Sequence, residues 1–298
     1  MQLFDPSTAG TRVSAAVARI ARLLRAHGID SPERDSRVLV SAVTGLTRAM
    51  LLGHPEQLLK EDEQRTLACL VERRTRREPV ARILGWRAFY DREFEVTPAT
   101  LDPRADTETV IEAALQIIGE EGCREKPRRI LDVGTGSGCL LITLLAELTN
   151  ACGLGTDISR DALCVAERNA RRHGVAARSR WALARSLEGI EEHFDLLVCN
   201  PPYICSDQIA LLQPEVKGYD PRIALDGGPD GLRVYREIIP HLHRVVPQGW
   251  ALFEVGMGQA AAVAALLDDL AKGRSSNGVR TFRDFDGRDR CVAWKTRQ

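Results

Sequence analysis

The chain has 298 residues, 44% of them hydrophobic, and its 41 basic and 41 acidic side chains leave a formal net charge of zero. That apolar supply supports one large domain or two smaller ones, and the even charge argues against a duplex-DNA binder, which carries an electrostatic excess. No apolar run approaches the ~20 residues of a membrane span, and the amino terminus, MQLFDPSTAG, lacks the basic-then-apolar layout of a secretion signal. In chain order, Val13, Val17, Ile20, Leu23 and Leu24 recur at helical spacing and predict a helix over 11–27, closed by His27-Gly28. Ser31-Pro32 predicts a second start, with Ser31 as N-cap and proline in the first turn; Val38, Leu39, Ala42 and Val43 form its apolar face, and Gly45 ends it. A short helix over 47–52 and a longer one over 60–76, with Leu67, Leu70 and Val71 inward, complete a small helical domain over 1–79. At its end Arg73, Arg74, Arg76 and Arg77 form a basic cluster, either a solvated helix face or a contact to an acidic partner or RNA.

From 80 to 108 the character changes. Ile83 to Trp86, Phe89-Tyr90 and Phe94 to Val96 predict two short strands with a turn near Asp91. Pro103 then breaks the strand, and Asp106 or Thr107 is expected to cap a helix over 110–118. Residues 127–295 alternate strands and helices, the pattern of a mostly parallel sheet covered on both faces. Arg129 to Val133 is its first strand, Gly134-Thr135-Gly136-Ser137-Gly138 a turn, and Cys139 to Leu148 an apolar helix. Glycines there let the backbone approach a ligand closely. A second strand, Gly153 to Thr156, ends at Asp157, whose carboxylate can accept from both hydroxyls of a ribose; an acid ~20 residues beyond a glycine turn is the spacing of a nucleoside site. The turn is G-x-G-x-G rather than G-x-G-x-x-G, so no pyrophosphate is required, and Asp132 before it suits a cationic tail, an ammonium or a sulfonium. S-adenosylmethionine carries both.

The apolar run Leu196 to Cys199 reads as a buried strand that stops at Asn200-Pro201-Pro202-Tyr203. Proline lacks an amide hydrogen and pushes the preceding residue to extended geometry, so Asn200 stands at the strand's carboxyl end, where open α/β sheets bind ligands. The Asn200 carboxamide oxygen and the Pro201 carbonyl make two acceptors for a planar NH2 group, and Tyr203 supplies a ring to cover it. The eight cysteines form no C-x-x-C pair and no His lies at ligand spacing, so neither a metal site nor a disulfide framework is signalled, and a reducing cytoplasm is expected. Two segments, Val279 to Phe285 and Arg290 to Lys295, read as a closing hairpin turned at Asp286-Gly287.

These motifs together resemble the HemK-like release-factor glutamine methyltransferases, a family of class I S-adenosylmethionine-dependent enzymes. The likeness runs through Leu131 to Gly138, Gly155 to Ser159, Phe194 to Ile204, Gln213 to Val216, Tyr219 to Gly228, Asp230-Gly231, Phe253 to Gly256 and Gly287 to Arg290. It implies a Rossmann-like, seven-stranded, mostly parallel sheet with an antiparallel last strand, in a catalytic domain over 109–298. It also implies a β-hairpin linker over 80–108 and a helical substrate-recognition domain over 1–79. By the same resemblance Gly134, Thr135, Gly136, Ser137 and Gly138 hold the methionine part of the cofactor and Asp157 its ribose. Asn200 and Pro201 hold the substrate glutamine amide, and Pro202 and Tyr203 shape its slot.

Two departures stand out: Ala105 replaces a proline of the family's pattern, and Arg185-Ser186 replaces the Asp-Trp that often lies near the adenine. The adenine contact is then left to the backbone around Ser186 or to Trp181. The expected reaction is methyl transfer to the glutamine of the GGQ motif of class I release factors, by a cytoplasmic monomer that binds neither membrane nor, stably, nucleic acid. The alternatives are glutamine methylation of a ribosomal large-subunit protein, adenine-N6 methylation of a nucleic acid, and a non-catalytic adaptor for a release factor or the ribosome.

Overall fold

The computed structural model describes residues 10–122, 124–270 and 278–296. Cys123 and the first nine residues, read above for metal ligands and a leader, lie outside the described residues. The chain divides into two compact units, Met1–Gly85 with Gln213–Tyr219, and Trp86–Leu212 with Asp220–Gln298.

The first unit is helical: α1 (Val13–Ala26), α2 (Pro32–Thr44), α3 (Arg48–Gly53), α4 (Glu61–Thr75) and α5 (Val80–Leu84). The apolar stripes close on one core of Val13, Ile20, Leu24, Leu39, Leu67 and Val71, and each large aliphatic side chain fully buried there is worth about 1.5–3 kcal/mol. Ser31 occupies the N-cap of α2 but makes no capping hydrogen bond; the start rests on Pro32 instead. The expected boundary at 79 moves to Gly85. Residues 80–84 coil into α5 rather than extend, because Ile83 is drawn into the helical core, and Gly85 ends the turn at φ 79°.

A short helix from far along the chain, α9 (Pro214–Tyr219, numbered by its place in the sequence), belongs to this unit as well. The arginine cluster explains why. Arg74 donates to Asp35 (2.8 Å) and Glu215 (3.1 Å), and Arg77 donates to the other oxygen of Glu215 (2.8 Å). Arg73 pairs with Glu78 and Arg76 with Glu72. Each guanidinium therefore has a carboxylate of its own unit; Arg74 is buried beside its partners, whereas Arg76 stays on the surface.

The second unit opens on a two-stranded ribbon, β1 (Trp86–Phe89) and β2 (Arg92–Glu95), turned at Tyr90-Asp91 with both residues at positive φ. Helix α6 (Glu108–Glu120) follows, then β3 (Arg128–Val133), α7 (Cys139–Glu147), β4 (Ala151–Asp157), α8 (Arg160–Arg172), β5 (Ser179–Leu183) and β6 (Leu196–Cys199). After α9 come α10 (Arg233–Ile238), α11 (Leu242–Val245), β7 (Trp250–Glu254), α12 (Ala260–Leu270), β8 (Val279–Arg283) and β9 (Asp289–Lys295).

Seven strands form one sheet in the order β5-β4-β3-β6-β7-β9-β8, parallel except where β9 runs antiparallel between β7 and β8. Residue alternation sorts the strands onto two faces. Ile130, Leu196, Val198 and Leu252 enter one core, and Leu131, Leu197, Cys199 and Phe253 the other. This is the sheet that the resemblance implied, with the closing hairpin in its expected place.

Candidate active site

The parallel order brings the carboxyl ends of β4, β3, β6 and β7 side by side, and each ends in a polar residue or runs into one. Asp132 lies one residue before the end of β3, Asp157 ends β4, Glu254 ends β7 and Asn200 follows β6. The Gly134–Gly138 turn is anchored on the neighbouring strand: the amides of Gly134 and Thr135 both donate to the Thr156 carbonyl at 2.9 Å. Gly136 adopts φ 55°, and a Cβ there would meet nothing within 4 Å, so the glycine serves the backbone angle and the space beyond stays open. Gly138 at φ 81° is crowded: a Cβ would sit 2.7 Å from Ile142 and 3.3 Å from Trp181.

Asp132 is 1% exposed. Its Oδ2 accepts from the Thr135 hydroxyl at 2.6 Å, whereas Oδ1 has no partner. Burial, with help from the charge of Asp157, pushes its carboxyl up to about 7. Asp157 accepts from the Gly136 amide on Oδ2 and from the Ser159 amide on Oδ1, both at 2.9 Å. One lone pair on each oxygen is left for a ligand. Burial raises its carboxyl as well, and those amides hold the rise back.

The Arg185-Ser186 departure has a counterpart elsewhere. Glu237 on α10 accepts from the Ser186 hydroxyl and from Arg185, each at 2.8 Å, and the two donors hold its carboxyl below the usual range. Ser186 sits at φ 49°. Trp181 packs beneath Gly155 and Gly138 and does not line the cavity, so the sequence alternative of a contact from its ring has no geometric support.

Asn200 follows β6 as expected, and its Nδ2 donates to the Thr107 hydroxyl at 3.1 Å. Pro201 and Pro202 are beside it. Tyr203 stands apart from the site: its ring packs against Gly256 and the second core, and its hydroxyl donates to Glu254 at 3.3 Å. Neither Asp106 nor Thr107 caps α6; Asp106 pairs with Arg290 at 2.7 Å, and Thr107 turns to Asn200.

One cavity of about 570 Å³ joins these groups, a size typical of small-molecule sites. Its wall includes the Gly134–Ser137 turn, Asp132, Asp157, Ser186, Glu237, Asn200, Pro201, Pro202 and Thr107. S-adenosylmethionine fits this donor set. The unpartnered, buried Asp132 Oδ1 suits a cationic tail, the free lone pairs of Asp157 suit two hydroxyls, and the open space at Gly136 admits a chain close to the backbone. Burial pushes the thiols of Cys139, to about 12, and of Cys199, well above the ordinary value, so neither is a nucleophile. No cluster of metal-ligating side chains occurs among the described residues. Sequence reasoning missed Thr107 as a site residue, and Glu237 and Glu254 altogether; the Phe253 to Gly256 likeness was the one signal for Glu254.

Two family models match the chain, the PrmC N-terminal domain over residues 15–85 and the methyltransferase small domain over 112–212. The release factor glutamine methyltransferase of Bradyrhizobium diazoefficiens is 43% identical over 264 residues, 88% of each chain. That of Cereibacter sphaeroides is 42% identical over 290 residues, covering 96% of this chain and 97% of its own. Among solved structures, the hMettl16 catalytic domain in complex with MAT2A 3'UTR hairpin 6 aligns at TM-score 0.53 and 17% identity, over 82% of this chain and 85% of that one, a likeness of fold alone. With family models matched over residues 15–85 and 112–212 and most of its length shared by relatives of this identity, the chain belongs to the release factor glutamine methyltransferase family.

Proposed function

We propose that this enzyme moves a methyl group from S-adenosylmethionine to the side-chain amide nitrogen of the GGQ glutamine in class I peptide chain release factors, in the cytoplasm. The observation that carries the proposal is that one cavity is walled at once by the glycine turn, Asp157 and the Asn200-Pro201 corner. In this reading Gly134 to Gly138 and Asp132 hold the amino-acid end of the cofactor and Asp157 its ribose. Ser186, with Glu237 bound to it, faces the adenine end. When bound, the cofactor supplies an electrophilic methyl on a sulfonium with a neutral leaving group.

The chain's own task is position and polarisation. An amide nitrogen is a weak nucleophile because its lone pair is delocalised into the carbonyl. Asn200 Oδ1 and the Pro201 carbonyl accept its two hydrogens, turn the lone pair toward the methyl, and stabilise the positive charge that develops on it. Alignment of this kind contributes up to ~7–11 kcal/mol in ideal cases. The nitrogen becomes strongly acidic after transfer and gives its proton to water, so no strong base is required.

The test is the intact mass of a purified release factor after incubation with enzyme and cofactor. A gain of one methyl that maps to the GGQ glutamine is expected. Methylation of a ribosomal large-subunit protein instead would redirect the substrate and leave the amide chemistry in place. A second prediction concerns Asp132. Its carboxyl, raised to about 7, must lose a proton to receive a cationic tail, so cofactor affinity should climb from about pH 6, pass its midpoint near pH 7 and level off above about pH 8. The groups facing it are Asp157, Cys139 and Cys199; both thiols stay neutral through this window. Calorimetry should find Asp132→Asn weaker and flat over the same range.

A further inference from the structure

We infer that Gln259 is a positioning residue for methyl transfer, because it fixes the far end of the corner formed by Asn200, Pro201 and Pro202; this rests on the role proposed for that corner. The near end is held by the sheet, where Cys199 pairs with Val133 on one side and Phe253 on the other. Pro201 and Pro202 have no amide hydrogen, so neither can anchor itself by donating a bond. Their pose is set by what grips the chain before and after them.

After them comes Tyr203, whose carbonyl accepts from Gln259 Nε2 at 2.9 Å. The other end of the same carboxamide, Oε1, accepts from the Gly256 amide at 3.0 Å. Both partners are main-chain groups of fixed role: an amide N–H only donates and a carbonyl only accepts. They therefore settle which way round the Gln259 carboxamide stands, and neither bond depends on a rotatable proton. Gln259 lies just before α12 and ties the loop after β6 to the loop after β7.

A third loop closes on the same point. Gly231, at φ 74°, is so near that a Cβ there would stand 2.3 Å from the Tyr203 carbonyl oxygen and 2.4 Å from Gln259 Nε2. At Gly227 a Cβ would stand 2.7 Å from the Pro202 carbonyl oxygen. The Gly227 amide also donates to the Ile204 carbonyl at 2.8 Å, and the Ile204 amide donates to Leu225 at 3.0 Å. Backbone packs on backbone around Pro202 and Tyr203, with the Gln259 carboxamide as the side-chain link. Gln259 does not line the cavity; it acts only through the main chain of the corner.

The experiment compares Gln259→Glu and Gln259→Met with the wild type and with Asn200→Ala. Glutamate keeps an oxygen for the Gly256 amide and loses the donor to Tyr203, whereas methionine fills a similar space and loses both bonds. Each is expected to lower the single-turnover rate about 10- to 100-fold, the cost of a small misplacement of an aligned group, with cofactor affinity by calorimetry unchanged. A readout free of turnover is the side-chain NH2 pair of Asn200 in the nitrogen-15 spectrum, identified by its loss in Asn200→Ala. It should shift in both Gln259 variants while the Gly136 amide signal keeps its place. A wild-type rate in Gln259→Glu would mean that the Gly256 bond alone suffices, and would overturn the inference. So would a loss of cofactor affinity as large as the loss of rate, the mark of general loosening. In both cases slow turnover in Asn200→Ala leaves the reading of the corner standing; normal turnover there would overturn both.

Discussion

Asn200→Ala should lower kcat for glutamine methylation about 10²- to 10³-fold, the loss seen when one preorganised group facing developing charge is removed, and should leave the cofactor dissociation constant unchanged. The reasoning is geometric. Asn200 lies just past β6 at the cavity wall, with its Nδ2 already engaged by Thr107. The substitution deletes one of two acceptors for the substrate nitrogen and leaves the glycine turn and Asp157 intact. Pro201 keeps its carbonyl in the variant, so activity should fall without vanishing. Single-turnover rates with saturating cofactor isolate the chemical step. Near-normal rates there would remove Asn200 from the mechanism.

Asp157→Ala should weaken cofactor binding about 10- to 100-fold, in line with ~1.5–3 kcal/mol for hydrogen bonds to a charged group, with a smaller effect on kcat at saturation. Two losses combine. The hydroxyl acceptors go, and so do the bonds from the Gly136 and Ser159 amides that tie the glycine turn to β4. Asp157→Asn separates them, because its carboxamide oxygen can keep one amide partner while the charge is lost. Calorimetry should rank wild type above asparagine and asparagine above alanine. Unchanged affinity in the alanine variant would contradict a ribose role for this carboxylate.

Whatever was local could be read from the sequence. The β6 run and its arrest at Asn200-Pro201-Pro202 follow from the chemistry of proline alone, and Asp157 is set by its own strand and the turn before it. The two-faced sheet was legible because its central strands β6 and β7 are near-continuous apolar runs, with helices between the strands. Partners far apart in the chain were not. Thr107 meets Asn200 across 93 residues and Glu237 meets Ser186 across 51, and nothing in composition or spacing announces either pair. Thr107 read as a helix cap because threonine before a helix commonly is one; the Asn200 amide, which donates to its hydroxyl, gave its side chain another use. The partner of the basic cluster was hidden for the same reason, since Glu215, which pairs with Arg74 and Arg77, comes from 141 and 138 residues away.

That last pairing bears on how the protein can be dissected. Because α9 is a piece of the helical unit spliced into the sequence of the sheet unit, deleting everything before Trp86 would not yield a clean catalytic fragment. It would strip Glu215 of both its guanidinium partners and Tyr219 of the Arg76 carbonyl that its hydroxyl binds. The architecture is modular in outline and indivisible by the scissors.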